Sequence, residues 1–122
     1  MNLLYVALAG ALGSASRHLV SSVAQERGAG FPVGTLSVNL LGCLLMGLVV
    51  GALSVRGLLD TPWRASICVG FLGGFTTYSS FALDGVGLLQ DERWSALVGY
   101  IGLSLGAGFG LLAIGLQVGK RL

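Results

Sequence analysis

The sequence predicts an all-α integral membrane protein of four transmembrane helices, the third of them broken. Three observations carry that reading. Only 7 basic and 5 acidic residues occur in 122, a charged fraction of 10%, where a water-soluble domain has about a quarter. No charged residue falls in 3–16, 34–54, 65–83 or 94–118. The chain also holds 21 glycines, a residue tolerated and useful where membrane helices pack closely.

About 20 apolar residues cross a bilayer core of ~30 Å at 1.5 Å per residue. Four spans fit, at about 3–22, 33–54, 65–88 and 94–118. Residues 1–122 therefore form a single four-helix transmembrane domain with no soluble part, and any activity has to operate inside the membrane. The first span is expected to be a helix rather than a cleaved leader, because no Lys or Arg precedes it and three further spans follow.

The first span carries Ala9, Gly13 and Arg17 at a spacing of four, with Gly10 and Ser14 beside them; small residues so placed let helix backbones approach. Arg17 near its end reads either as a snorkelling anchor or as a cation drawing anions to a vestibule. His18 is expected at the interface. Gly28, Gly30 and Pro32 mark a turn. In the second span Thr35 and Asn39, four apart, share a face. A buried amide in hydrocarbon is costly unless partnered, so Asn39 faces either another helix or a water-filled cavity.

The third span reads Gly70-Phe-Leu-Gly73-Gly74-Phe75-Thr76-Thr77-Tyr78-Ser79-Ser80-Phe81. Paired glycines weaken a helix, and the following run of hydroxyls competes for its backbone. An unwound turn near the midplane is expected there, tolerated only where it is buried in protein or lines a cavity. The fourth span has a ridge of Gly102, Gly106 and Gly110, expected to pack, and a neighbouring stripe of Tyr100, Ser104 and Gly108. Cys43 and Cys68 each lie within a span and read as small packing residues.

The polar groups at depth are neutral hydrogen-bond donors: Thr35, Ser37, Asn39, Thr76, Thr77, Tyr78, Ser79, Ser80, Tyr100 and Ser104. No carboxylate lies deep in a span, and Asp84 sits near the end of the third. That pattern argues against a proton-coupled pump, which needs an ionisable group within the membrane. No nucleophile–base pair, metal-ligand cluster or phosphate loop is present, so the chain is not expected to be an enzyme. A neutral, donor-rich lining suits a small anion, and the ring edges of Phe75, Tyr78 and Phe81 add positive quadrupole density. A small drug exporter would want a deep acid in the first helix, which is missing. A non-transporting scaffold would account for the glycines but not for the hydroxyls beside Gly73-Gly74.

Both termini fall on one side of a four-span chain. That side carries Arg56, Arg64, Lys120 and Arg121, and the other carries Arg17, Arg27 and Arg93. Lys/Arg asymmetry sets orientation, and four against three is almost none. One orientation remains open, as does insertion both ways with pairing into an antiparallel dimer.

The stretches Gly34-Thr-Leu-Ser-Val-Asn39-Leu-Leu-Gly42 and Gly73-Gly-Phe-Thr-Thr-Tyr-Ser-Ser-Phe81, with Gly10-Ala-Leu-Gly13-Ser-Ala-Ser-Arg17, resemble the signatures of the Fluc (CrcB-type) fluoride channels. The resemblance covers the whole chain in length, helix number and motif order. It implies an antiparallel, dual-topology homodimer in the bacterial plasma membrane, passively exporting cytoplasmic fluoride through the lipid bilayer, with no nucleic-acid partner. It implies a structural sodium ion at the dimer interface, held by the backbone carbonyls of Gly73 and Thr76. Asn39 matches the pore asparagine and Phe81 the second pore phenylalanine; Tyr78 stands where the first usually is. Thr77, Ser80, Thr35, Tyr100 and Ser104 fall at pore positions and Arg17 at the vestibule arginine. Ser80 replaces a frequent Thr, and Gly108 stands where a Ser is often found.

Overall fold

The computed structural model describes residues 2–122. All regular structure among them is helical, in the order α1 (Asn2–Gln25), α2 (Val33–Val55), α3 (residues 62–75), α4 (Tyr78–Gln90) and α5 (Trp94–Gly119). Four stretches are long and apolar enough to cross a membrane: Leu3–Gln25, Val33–Val55, Pro62–Gln90 and Trp94–Gly119. The third comprises α3 and α4 together, so the expected four spans with a broken third are present. The first and third spans run on past the charge-free stretches, to Gln25 and to Pro62 and Gln90, because terminal turns tolerate polar residues at the interface, while α2 and α5 match theirs to within one residue at each end.

Local chemistry fixes the ends. The Gly34 N–H, one of the unpaired first-turn donors of α2, is taken by Gln25 Oε1 at 3.0 Å, while Gln25 Nε2 donates to the Phe31 carbonyl at 3.0 Å. One side chain thus ties the end of α1 to the start of α2. Gly57, in the left-handed region at φ 66, ends α2. Its N–H bonds the Ser54 carbonyl at 3.4 Å, and the Leu58 N–H bonds the Leu53 carbonyl at 3.0 Å, the two-bond closure that a glycine after a helix permits. Pro62 opens α3, where a missing N–H does no harm.

Two parallel helix pairs make the body of the domain, and glycine brings both to backbone contact. In the α1–α3 pair, a Cβ at Gly13 would run into the Phe71 carbonyl, one at Gly70 into Val6, and one at Gly74 into the Gly10 carbonyl. In the α2–α5 pair the same holds reciprocally: Gly47 meets the Leu112 carbonyl, Gly51 Leu116, Gly115 Leu44 and Gly119 Leu48. Lipid offers no hydrophobic drive for helices to associate, so close van der Waals approach through small residues supplies the cohesion. The expected ridge of Gly102, Gly106 and Gly110 does not join this packing. A Cβ at any of the three meets nothing within 4 Å. The face of α5 that packs within the chain is instead the one carrying Gly108, Gly115 and Gly119, all buried.

The third span departs most from regular geometry. Ala65–Leu72 is π-helical, and the Gly73 N–H reaches back five residues to the Cys68 carbonyl. One α-helical turn follows at Gly73–Phe75, and the chain then extends through Thr76 (ψ 160) and Thr77 (φ −152, ψ 118) before α4 begins. The break therefore falls at the threonines, not at the glycine pair. Gly74 is needed as a helical residue against α1, whereas threonine hydroxyls can satisfy the backbone that unwinding frees.

Candidate functional site

The break is held by side chains from three directions. Thr76 closes the turn behind it, both its N–H and its Oγ1 donating to the Leu72 carbonyl at 3.0 Å. Thr77 caps the helix ahead, its Oγ1 accepting from the Ser80 N–H at 3.2 Å. It also bonds Ser80 Oγ at 3.1 Å and lies 3.3 Å from Ser79 Oγ. From α2, Asn39 grips the extended residue on both sides. Its Oδ1 accepts from the Thr77 N–H at 2.8 Å and its Nδ2 donates to the Thr77 carbonyl at 3.0 Å. From α1, Arg17 Nη1 donates to the Thr76 carbonyl at 3.3 Å.

The Asn39 grip gives the amide the protein partner that the sequence called for. The amide makes its helix–helix hydrogen bonds and also lines a cleft of about 340 Å³ with Thr76, Thr77, Tyr78, Phe81 and Ser104. An amide nitrogen carries two N–H groups, so the bond to Thr77 leaves one. Cys43, Met46, Leu105 and Leu112 give the rest of the cleft an apolar wall. Ser104 is the notable member: its hydroxyl is buried and has no hydrogen-bond partner among the described residues.

Other expected site residues stand behind the cleft rather than on it. Tyr100 is fully buried. Its ring lies 5.2 Å from that of Phe81 and edge-on to Phe31 at 5.7 Å. Its hydroxyl donates to Asp84 Oδ2 at 3.1 Å, and that carboxylate lines a second cleft of about 350 Å³ with Gln25, Phe31 and Asp91. Thr35 lies one turn before Asn39 on α2, outside the cleft wall, and Ser80 is occupied with Thr77. Tyr78 is 82% exposed and points its ring out of the chain while packing at 5.9 Å against Phe81.

Sequence reasoning missed three things. Cys43 and Met46 could have been found, since they follow Asn39 at one-turn intervals on a shared face. The Asp84–Tyr100 pair joins α4 to α5 and had no local signal. Arg17 was expected either at the interface or in a vestibule, yet its guanidinium reaches the middle of the third span, at a site no spacing within α1 could disclose.

The backbone carbonyl of Gly73 stands out. Its ordinary helical donor, the Thr77 N–H, is taken by Asn39, and Gly73 is exposed on the single chain. Bare backbone at membrane depth has to be covered by protein or water.

A model of the CrcB-like protein family (Camphor Resistance, CrcB) matches residues 4–116. A protein of Solidesulfovibrio magneticus named "Fluoride-specific ion channel FluC" is 44% identical over 119 residues, covering 97% of this chain and 95% of that one. A protein of the same name from Paracoccus denitrificans is 44% identical over 119 residues, covering 98% and 94%. Another, from Maridesulfovibrio salexigens, is 41% identical over 120 residues, covering 98% and 95%.

Proposed function

The chain belongs to the CrcB-like family, and from that premise we propose that it is a fluoride-selective channel of the bacterial inner membrane, through which cytoplasmic fluoride leaves passively. The observation that carries the proposal is the cleft beside the helix break. Its polar groups are neutral amide and hydroxyl groups that can donate, and it holds a buried hydroxyl with no partner among the described residues. Buried polar groups are normally satisfied; an unsatisfied one beside a conduit is an invitation to a ligand. The relatives are named as channels, not enzymes, in keeping with the lack of catalytic groups in the sequence.

Fluoride is small and strongly hydrated, and conduction requires its water shell to be replaced by close donors, much as carbonyls replace the shell of a cation. The remaining Asn39 N–H and the Ser104 hydroxyl supply donors to the same cleft from α2 and α5. The rings of Tyr78 and Phe81, which line the same cleft, offer edges of positive quadrupole density. Thr77 and Ser80 fix the start of α4 and so the placement of both rings. Thr35 and Tyr100 extend the polar path beyond Phe81 towards the Asp84 mouth. With no deep carboxylate or imidazole to exchange protons, flow follows the fluoride gradient.

The working unit we propose is an antiparallel homodimer. Exposed Gly73 and the outward ring of Tyr78 leave one wall of the site to be supplied from outside the chain, and a second copy would close it. A structural sodium ion fits this arrangement. The Gly73 carbonyl has lost its helical donor, and the Thr76 carbonyl has two lone pairs, one of them facing Arg17. One chain offers two carbonyls, too few to replace a cation's water shell, so both copies would contribute, four carbonyls in all. Sodium there would neutralise carbonyls crowded at the interface.

The test is efflux from liposomes holding the purified chain, with chloride as the control anion and Asn39→Asp alongside. The expected result is fast fluoride release without chloride release, lost in the Asp variant, which faces a carboxylate oxygen onto the Thr77 carbonyl and puts negative charge on the path. Folded wild-type protein that releases no fluoride would refute the channel.

A further inference from the structure

Arg17 lies about two turns before the end of α1, roughly 12 Å along the axis at 1.5 Å per residue, so its guanidinium enters the membrane core. There it donates to the Thr76 carbonyl across 59 positions of sequence. Among the described residues this is the hydrogen bond Arg17 makes. The contact is specific in two ways. Thr76 is the first extended residue of the break, so its carbonyl is one that helix unwinding has freed. Thr77, the second, is held at both its N–H and its carbonyl by Asn39.

We propose that Arg17 is a positioning residue: with Asn39 it fixes the two extended residues of the break, Arg17 from α1 on Thr76 and Asn39 from α2 on Thr77. The role rests on the channel reading of the adjacent cleft, and it differs from that of a cation collecting anions at a mouth. A collecting cation acts through its field and keeps its donors towards water. Here a donor is committed to a freed backbone carbonyl at membrane depth, where bare backbone has to be covered by protein or water. A charged donor makes the stronger bond to it. Arginine suits the task and lysine does not, because the planar fork is pre-organised and weakly hydrated, whereas an ammonium is a compact, strongly hydrated point charge.

The break sets where the cleft stands, since Thr76, Thr77 and Tyr78 all line it. Loss of the Arg17 bond therefore has two separable consequences, a more mobile Thr77–Ser80 backbone and a less selective path. The experiment compares the full-length wild type with Arg17→Lys and Arg17→Gln in liposomes, at ionic strengths of about 0.05 and about 0.5 M, which shortens the screening length about threefold. Amide hydrogen exchange at 77–80 is read on the same preparations. The expected result is a fall of about tenfold or more in fluoride flux for both variants and exchange faster by a similar factor, as for losing a hydrogen bond to a charged group. Fluoride-over-chloride selectivity falls too, and the ratio to wild type is the same at both ionic strengths.

Lysine within about twofold of wild type with unchanged exchange would overturn the proposal, as would a deficit that salt abolishes, since screening touches a field and not a hydrogen bond. If the variants do not fold, the wild type decides: a through-space contact between the Arg17 guanidinium nitrogens and the Thr76 carbonyl carbon, measured by solid-state NMR in lipid, supports the role, and its absence refutes it. A wild type that keeps this contact but conducts no fluoride refutes the channel reading alone.

Discussion

Ser104 and Asn39 face the same cleft but stand in opposite positions energetically. Asn39 is bonded twice to Thr77, so removing it strands a buried N–H and a carbonyl. The Ser104 hydroxyl has no hydrogen-bond partner among the described residues, so the folded chain already bears the penalty of burying it, about 1–3 kcal/mol for an unsatisfied group. Ser104→Ala is accordingly expected to leave the thermal midpoint in detergent unchanged or higher. It should still slow fluoride flux, by about tenfold, if the hydroxyl serves an ion as a donor. A variant that melts earlier and conducts normally would assign Ser104 to structure instead. The departures from the family pattern also belong to this scale. Tyr78 adds a hydroxyl at a ring that points out of the single chain, so its partner group lies on whatever covers that face. At Gly108, where the family often has Ser, an added Cβ would meet Cys43 Sγ at 3.6 Å, an ordinary contact, so the missing donor is not forced by crowding.

Among the helices, glycine has two distinct uses that composition does not separate. Gly13 sits against the backbone of Phe71 and Phe75, while Gly106 faces open space. Gly13→Ala is expected to destabilise the α1–α3 pair by about 1–3 kcal/mol, the usual penalty of overpacking. Gly106→Ala should be neutral or stabilise α5 by about 0.5–1 kcal/mol, the helical preference for alanine. Thermal unfolding of the two variants followed by circular dichroism checks the contrast. The π-helical Ala65–Leu72 works with these contacts. Its wider turn, followed at once by Gly73–Phe75 and the extended threonines, lets one span carry close packing on α1 and an open break within a few residues. The sequence located that break to within a turn, through its hydroxyls. Of the two causes it named, the hydroxyls mark the extended residues and the glycine pair stays helical, because whether a glycine is a weak point or a contact point depends on the helix facing it.

For the molecule as a whole, the position of Arg17 alters the topology argument. Its side chain leaves the connections and enters the core. The loop count then becomes four basic residues (Arg56, Arg64, Lys120, Arg121) against two (Arg27, Arg93), and Arg93 is itself drawn to the Gly30 carbonyl. The bias is small but no longer negligible, since Lys and Arg close to the span ends set orientation. Dual insertion should therefore be easily upset. A tag appended after residue 122 is expected to be reachable from both faces of the membrane. Two lysines added to the 57–60 turn should confine it to one face and, because an antiparallel dimer needs both orientations, abolish fluoride flux. A tag found on one face alone in the unaltered chain, together with normal flux, would rule out the antiparallel unit.

The sequence alone determined the membrane, the number of spans, the position of the interruption and the neutral, donor-rich chemistry beside it. These follow from one-dimensional properties: the absence of charge over spanning lengths, hydroxyl density, and residues at one-turn spacing. What each polar group is bonded to emerges only once the helices are packed together. Arg17 with Thr76, Asn39 with Thr77 and Tyr100 with Asp84 all join separate helices. The packed arrangement also fixes which glycines make contact, and it leaves Ser104 without a partner among the described residues. The physical reason is that a hydrogen bond between helices depends on their relative depth and rotation. Backbone contact among Gly10, Gly13, Gly70 and Gly74, and among Gly47, Gly51, Gly115 and Gly119, sets both, and no periodicity within a single helix encodes them.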